Sequence, residues 1–289
     1  MRVSKQGHPF NLRPSEYRVG EAYLTPTVAA DQLPPKIVVP RPSTWPIWNQ
    51  GALGSCSAHA SLKGTLYAFN KFDNVSGDTM LSRLFAYFNG RVLEGTTGSD
   101  SGVTLGDMMA GLGSQGVPFE TLWPYDISKF AMQPPAPAFA DGKKRLVISS
   151  RRLASNWGGI RQGLATGLPV VFGMTVYESF ENTGSNGMVA IPKGGETVLG
   201  GHAMIAWEAD TLNALVGTED RRVGSWLSVL VDAIFHIGHK ATPSGSGLVL
   251  VENSWGEGWG DHGYCHMDAS LFDQNCFDAY QVTSVKWVA

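Results

Sequence analysis

Charge is scarce in these 289 residues, and cysteine is scarcer still. Only 16% of positions are Asp, Glu, Lys or Arg, against about a quarter in ordinary domains. The 22 basic and 25 acidic residues leave a net charge of −3, and no basic run of five or more occurs. Binding driven by neutralising phosphates is therefore excluded as a main role, and no nucleic acid partner is expected. No apolar run reaches the eighteen or so residues a membrane-spanning helix needs, so no membrane partner is expected. Three cysteines (Cys56, Cys265, Cys276) are too few for a disulfide scaffold. Together with a first stretch that lacks the apolar core of a signal peptide, this favours a reducing, cytoplasmic location.

What is present is apolar and glycine-rich. Hydrophobic residues make up 43%, and 35 positions are glycine, a composition of packed cores, tight turns and close backbone approaches. Residues 1–32 are polar and carry little periodicity, so they read as a leader. Residues 33–48 hold five prolines and read as an extended crossing segment. Ala58, Leu62, Leu66 and Phe69 then form an apolar helical stripe. Leu84, Phe85, Phe88 and Val92 form a second. Leu105, Met108, Met109 and Leu112 form a third, opened by Thr104 with Asp107 three residues on, a capping-box spacing.

The Pro- and Ala-rich stretch 132–143 reads as a boundary or long connection. One more helix is expected near 157–166, and strands at 170–176, 203–209, 247–253 and 263–267. A helical part followed by a strand part gives an α+β fold. The expected domains are 1–32 (leader), 33–140 (mainly helical) and 141–289 (β-rich). A cleft is expected between the last two.

Two motifs mislead. Gly111, Gly113 and Gly116 match G-x-G-x-x-G, but a helix precedes them and Val117-Pro118 follows, so a helix end and turn is expected in place of a dinucleotide site. His262, Cys265 and His266 invite a metal reading. On a strand the two histidines point one way and the cysteine the other, so no metal is expected. His236 and His239 are expected at ordinary helix positions.

The chemistry concentrates around Cys56. A glycine-containing loop, Asn49 to Ser55, runs into a helix whose first turn carries the thiol. Orphan N–H groups and the positive end of the helix dipole favour an anion there and are expected to lower the thiol pKa. A thiolate nucleophile needs an oriented base. His202, in Gly-Gly-His-Ala-Met, stands at the start of an apolar strand. Asn253, in Glu-Asn-Ser-Trp-Gly, stands at a strand end. An Asn oxygen can fix the imidazole tautomer, and Trp255 can shield that bond from water. Gln50 and the Cys56 N–H could form an oxyanion hole. His59, one helical turn after Cys56, is a rival base without an orienting Asn.

These motifs, in this order and with spacings of 146 and 51 residues (202 − 56 and 253 − 202), resemble the papain-like cysteine proteases. Phe119–Asp126, Leu168-Pro169-Val170 and Asp100-Ser101-Gly102 resemble further elements of that family. The resemblance covers roughly 33–289. It implies Cys56 as nucleophile, His202 as acid and base, Asn253 as orienter and Gln50 as oxyanion donor. It also implies substrate contacts at Gly102, Gly173, Ala203, Gly201 and Trp255. Gly173 and Ala203 would wall a pocket for an apolar residue one position before the cleaved one. No cofactor is implied.

The implied function is a cysteine endopeptidase, made as a self-inhibited zymogen whose own N-terminal segment lies in the cleft. The partners are a peptide or protein substrate, and a monomer is expected. Transpeptidation or amide hydrolysis would use the same thioester chemistry, and an idle peptide-binding module is the rival of another class. The family's Cys and Trp are replaced here by Leu53 and Ser57, and an insertion is expected at about 209–246.

Overall fold

The computed structural model describes residues 2–26, 28–75, 80–211 and 247–288. The expected insertion beyond residue 211, and with it His236 and His239, lies outside the described residues.

Helix α1 (Cys56–Asp73) forms where the first apolar stripe lay, but it is buried all round from Cys56 to Phe69. It packs on one side against the sheet and on the other against α2 (Arg83–Glu94) and α3 (Leu105–Ser114). Asn74, with φ at 52°, stops it in the left-handed region and returns its N–H to the Phe69 carbonyl. Ser82 caps α2 by accepting from the Phe85 N–H, and Thr104 caps α3 by accepting from the Asp107 N–H. The G-x-G-x-x-G match is the end of α3 and the turn after it, as expected. The stretch read as a connection holds a short helix, α4 (Ala136–Gly142), because a proline in its first turn pre-sets helical φ. Helices α5 (Trp157–Leu164), α6 (Glu178–Glu181) and α7 (Ala269–Asn275) follow.

The strands are β1 (Lys36–Val38), β2 (Arg145–Arg152), β3 (Val170–Tyr177), β4 (Val198–Thr211), β5 (Gly247–Glu252), β6 (Tyr264–Asp268) and β7 (Cys276–Trp287). They pair antiparallel in the order β2-β7-β3-β4-β5-β6, with β1 on β4. The fold is α+β, with α1 laid on β4 and β7. Strands β2 and β7 had no clear sequence signal. The first is rich in Arg and Ser, lies at the end of the strand order and carries register shifts. The second interleaves polar residues with its buried ones.

One expectation fails in the last hairpin. His262 is not on a strand. It sits at φ 50° in the turn before β6, so the alternation argued for His262 and His266 does not apply to it. Within β6, Cys265 and Met267 point into the core and His266 points the other way.

A buried charge cluster ties the sheet to α1. Glu252, at the end of β5, accepts from Lys63 (2.9 Å), Arg41 (2.6 Å) and Trp207 (3.2 Å). The Lys63 and Glu252 side chains are each 3% exposed. Lys63 also donates to the Pro46 carbonyl and lies 4.4 Å over the Trp48 ring.

Candidate active site

The loop before α1 is fixed from below. The Gln50 N–H donates to the Ser254 carbonyl, and Asn49 bridges to Trp255. The Gln50 side chain is fully buried. Its oxygen accepts from the Ser254 hydroxyl (2.6 Å), and one of its N–H groups donates to the Leu53 carbonyl (2.9 Å). One amide N–H is therefore spent inside the loop. Tyr125, in the 119–126 motif, donates to the Gln50 carbonyl (2.8 Å) and shares a hydrogen bond with Ser55 (2.6 Å). That function of Tyr125 had no signal beyond the motif itself.

His202 lies on β4 opposite Met174 of β3, and Asn253 follows the last residue of β5. Their side chains meet: His202 Nε2 and Asn253 Oδ1 are 2.8 Å apart. The other imidazole nitrogen, Nδ1, has no hydrogen-bond partner among the described residues. The ring packs against Trp255 at 5.2 Å and Phe180 at 5.9 Å between centroids. Burial lowers its pKa to about 4, although the Asn253 hydrogen bond acts to raise it.

The Cys56 thiol is buried at the first turn of α1, and the backbone of Ala203, the residue after His202, hydrogen-bonds it. The expected fall in its pKa is not what the structure gives. Burial pushes it up to about 11, and the nearby Asp100 charge adds to the rise. The hydrogen bonds from Ala203 and the helix start act the other way, but desolvation is the larger effect.

His59 does not resemble a base. Its Nδ1 lies 2.9 Å from the Ser55 carbonyl, and its ring sits edge-on to Tyr125 and Trp48. Burial holds its pKa well below 6.5, helped by the Arg83 charge.

The five residues expected to contact substrate are brought together, and residues 8–12 of the leader touch four of them. His8 stacks on Trp255 at 4.8 Å, with Phe10 edge-on at 5.7 Å. Asn11 bridges in parallel to Gly201, and the Leu12 N–H donates to the Gly201 carbonyl at 3.2 Å. A Cβ at Gly201 would strike the Leu12 carbonyl, and one at Gly102 (φ 73°) would lie 2.5 Å from the Asn11 carbonyl. At Gly173 it would lie 2.7 Å from the Leu12 side chain. These approaches need glycine, which explains the G-G before His202. Phe10 and Leu12 are 4% and 5% exposed, so this polar-looking stretch buries its two large apolar residues. Sequence periodicity missed them because they stand in an irregular segment.

No family model matches the chain. It is 31% identical over 230 residues to an uncharacterized peptidase C1-like protein of Acanthamoeba polyphaga mimivirus, covering 76% of this chain and 63% of that protein. The chain thus spans less than two thirds of that relative's length. Among solved structures it superposes on xylellain, a cysteine protease from Xylella fastidiosa, with a TM-score of 0.75 and 25% identity, covering 100% of this chain and 99% of the other. It also superposes on digestive procathepsin L 3 of Tenebrio molitor larval midgut, with a TM-score of 0.62 and 15% identity, covering 96% and 76%. The likeness to the second is one of fold.

Proposed function

We infer that this chain, which has the papain-like fold, is a cysteine peptidase that hydrolyses peptide bonds with Cys56 and His202. One observation carries the reading. An imidazole is held by Asn253 at one nitrogen and left without a partner at the other, on the residue next to the one whose backbone meets the Cys56 thiol.

In the reaction, His202 Nδ1 takes the Cys56 proton and the thiolate attacks the scissile carbonyl carbon. The carbonyl electron pair moves to oxygen, where the Cys56 N–H and the remaining Gln50 N–H stabilise it. Collapse expels the amine, which leaves with the proton from the imidazolium, and an acyl thioester remains. Water then gives a proton to His202 and attacks the thioester, releasing the acid and restoring the thiol. Asn253 keeps the imidazole in the tautomer and orientation both steps need.

Residues 1–32 act as an inhibitory segment. The contacts of residues 8–12 with Gly102, Gly173, Gly201 and Trp255 support this. So does the direction of the chain. If Leu12 were a substrate residue in the Gly173 pocket, the next residue, Arg13, would stand at the nucleophile. It is the preceding residue, Asn11, whose side chain lies against Gly54, two residues before Cys56. The segment therefore runs backwards relative to a cleavable peptide, and it excludes substrate without being cut. Tethering gives it a high effective concentration, on the order of millimolar.

Cys56→Ala tests the peptidase reading. The position is a helix start where Ala is tolerated, and turnover of a fluorogenic peptide should fall about a thousandfold or more, equivalent to about 4 kcal/mol of barrier. Activity within about tenfold of wild type would remove Cys56 from the mechanism.

A further inference from the structure

The loop that carries the nucleophile is not tied covalently to anything, since Cys56, Cys265 and Cys276 are all free. It is tied by a carboxylate instead. The Gly54 N–H, two residues before Cys56, donates to both Asp100 oxygens at 3.0 Å. Tyr87, a fully buried residue of α2, donates its hydroxyl to Asp100 Oδ1. The same hydroxyl accepts from the Gly102 N–H at 3.2 Å. Arg91, one turn further along α2 and fully buried, lies 4.2 Å over the Tyr87 ring and donates to the Thr97 and Ser99 carbonyls, each at 2.9 Å. One helix thus fixes the loop 97–102 from below, and Asp100 passes that rigidity to Gly54.

We propose that Asp100 is a positioning residue for the peptidase site: through Gly54 it holds the nucleophile loop, and with it the oxyanion donors, in register with the glycine loop at Gly102. The proposal rests on the cysteine peptidase reading. A carboxylate here is otherwise a poor choice, because its charge works against forming the Cys56 thiolate. A clamp explains why an acceptor with two oxygens stands at this point. One oxygen receives Tyr87 while both face Gly54, a charge-assisted arrangement stronger than a neutral pair. Oxyanion stabilisation depends on donors that are already in place, so loosening them costs rate in the chemical step more than binding.

The test uses the full chain, assayed before and after removal of residues 1–32, with Asp100→Ala, Asp100→Asn and Tyr87→Phe. Each variant is assayed for peptide turnover and for alkylation of Cys56 by iodoacetamide, a displacement that forms no oxyanion. For Asp100→Ala, kcat should fall about 100-fold with KM changed only a few-fold. Its alkylation rate should stay within about threefold of wild type. Asp100→Asn, which keeps an acceptor for Gly54, should recover kcat to within about tenfold. Tyr87→Phe, which frees the carboxylate on one side, should lose about tenfold. The proposal is overturned if Asp100→Ala and Tyr87→Phe keep kcat within about threefold, or if alkylation slows as much as turnover. Tyr87→Phe decides the matter should Asp100→Ala fail to fold. Absence of turnover in the wild-type chain both before and after removal of residues 1–32 overturns the peptidase reading itself, and the clamp with it, a result distinct from an active wild type with active variants.

Discussion

His202 presents Nε2 to Asn253 at 2.8 Å and keeps Nδ1 unpaired among the described residues, beneath the ring of Phe10 at 6.1 Å between centroids. Burial in this covered state holds the imidazole pKa near 4, and burial also lowers that of His8, which stacks on Trp255. Both groups have depressed pKa values, so between about 4 and 6.5 an uncovered state binds protons that the covered state does not. Covering is therefore fully favourable above about 6.5 and weakens as pH falls. Burial keeps Cys56 a thiol in the covered state. Turnover by the intact chain, relative to the chain without residues 1–32, should rise about tenfold between pH 7 and pH 5. A ratio that is constant or lower in acid would contradict the assignment of residues 8–12 as the cover.

Leu12 can be tested without shortening the chain. It is 5% exposed and packs where side chains at Gly173 and Gly201 would have to go. Leu12→Asp places a charge in that apolar contact, at a cost of about 2 kcal/mol or more. The intact full-length protein should then turn over peptide at least about tenfold faster than wild type. Equal rates would show that the leader does not limit access.

The Glu252 cluster makes a prediction about stability. Lys63 is buried, and burial has already lowered its pKa to about 8, with Glu252 opposing the fall. Glu252→Gln would leave two cations facing a neutral amide, so the loss should be about 3–5 kcal/mol. Thermal unfolding read by circular dichroism should show it as a drop of several degrees. Pairing Glu252→Gln with Lys63→Met should recover much of the loss. A single variant as stable as wild type would contradict the buried pair.

The sequence showed most clearly the parts that obey simple periods. The stripes at 58–69, 84–92 and 105–112 became α1, α2 and α3, and Thr104 became the cap it resembled. The short apolar runs became β3 to β6. Strands β2 and β7 were hidden because half their residues face solvent or polar partners. His202 and Asn253 were legible as motifs, and their hydrogen bond follows from the pairing of β4 with β5. The sign of the Cys56 shift was not legible. A helix start predicts a lowered pKa, but desolvation in the folded chain outweighs it. The contacts of Phe10, Asn11 and Leu12 were likewise invisible, since no local pattern marks a segment that packs against glycines and aromatic rings far away in the chain.

The central claim is that Cys56 is the nucleophile, and covalent labelling tests it most directly. The enzyme, after removal of residues 1–32, is treated with an irreversible peptidyl epoxide, and the adduct is located by peptide mass mapping while turnover is followed in the same sample. The account predicts one adduct, on Cys56, with activity falling in proportion to its occupancy. It also predicts that His202→Ala slows the labelling strongly while His59→Ala does not. Labelling confined to Cys265 or Cys276, or turnover that persists with Cys56 fully modified, would contradict it.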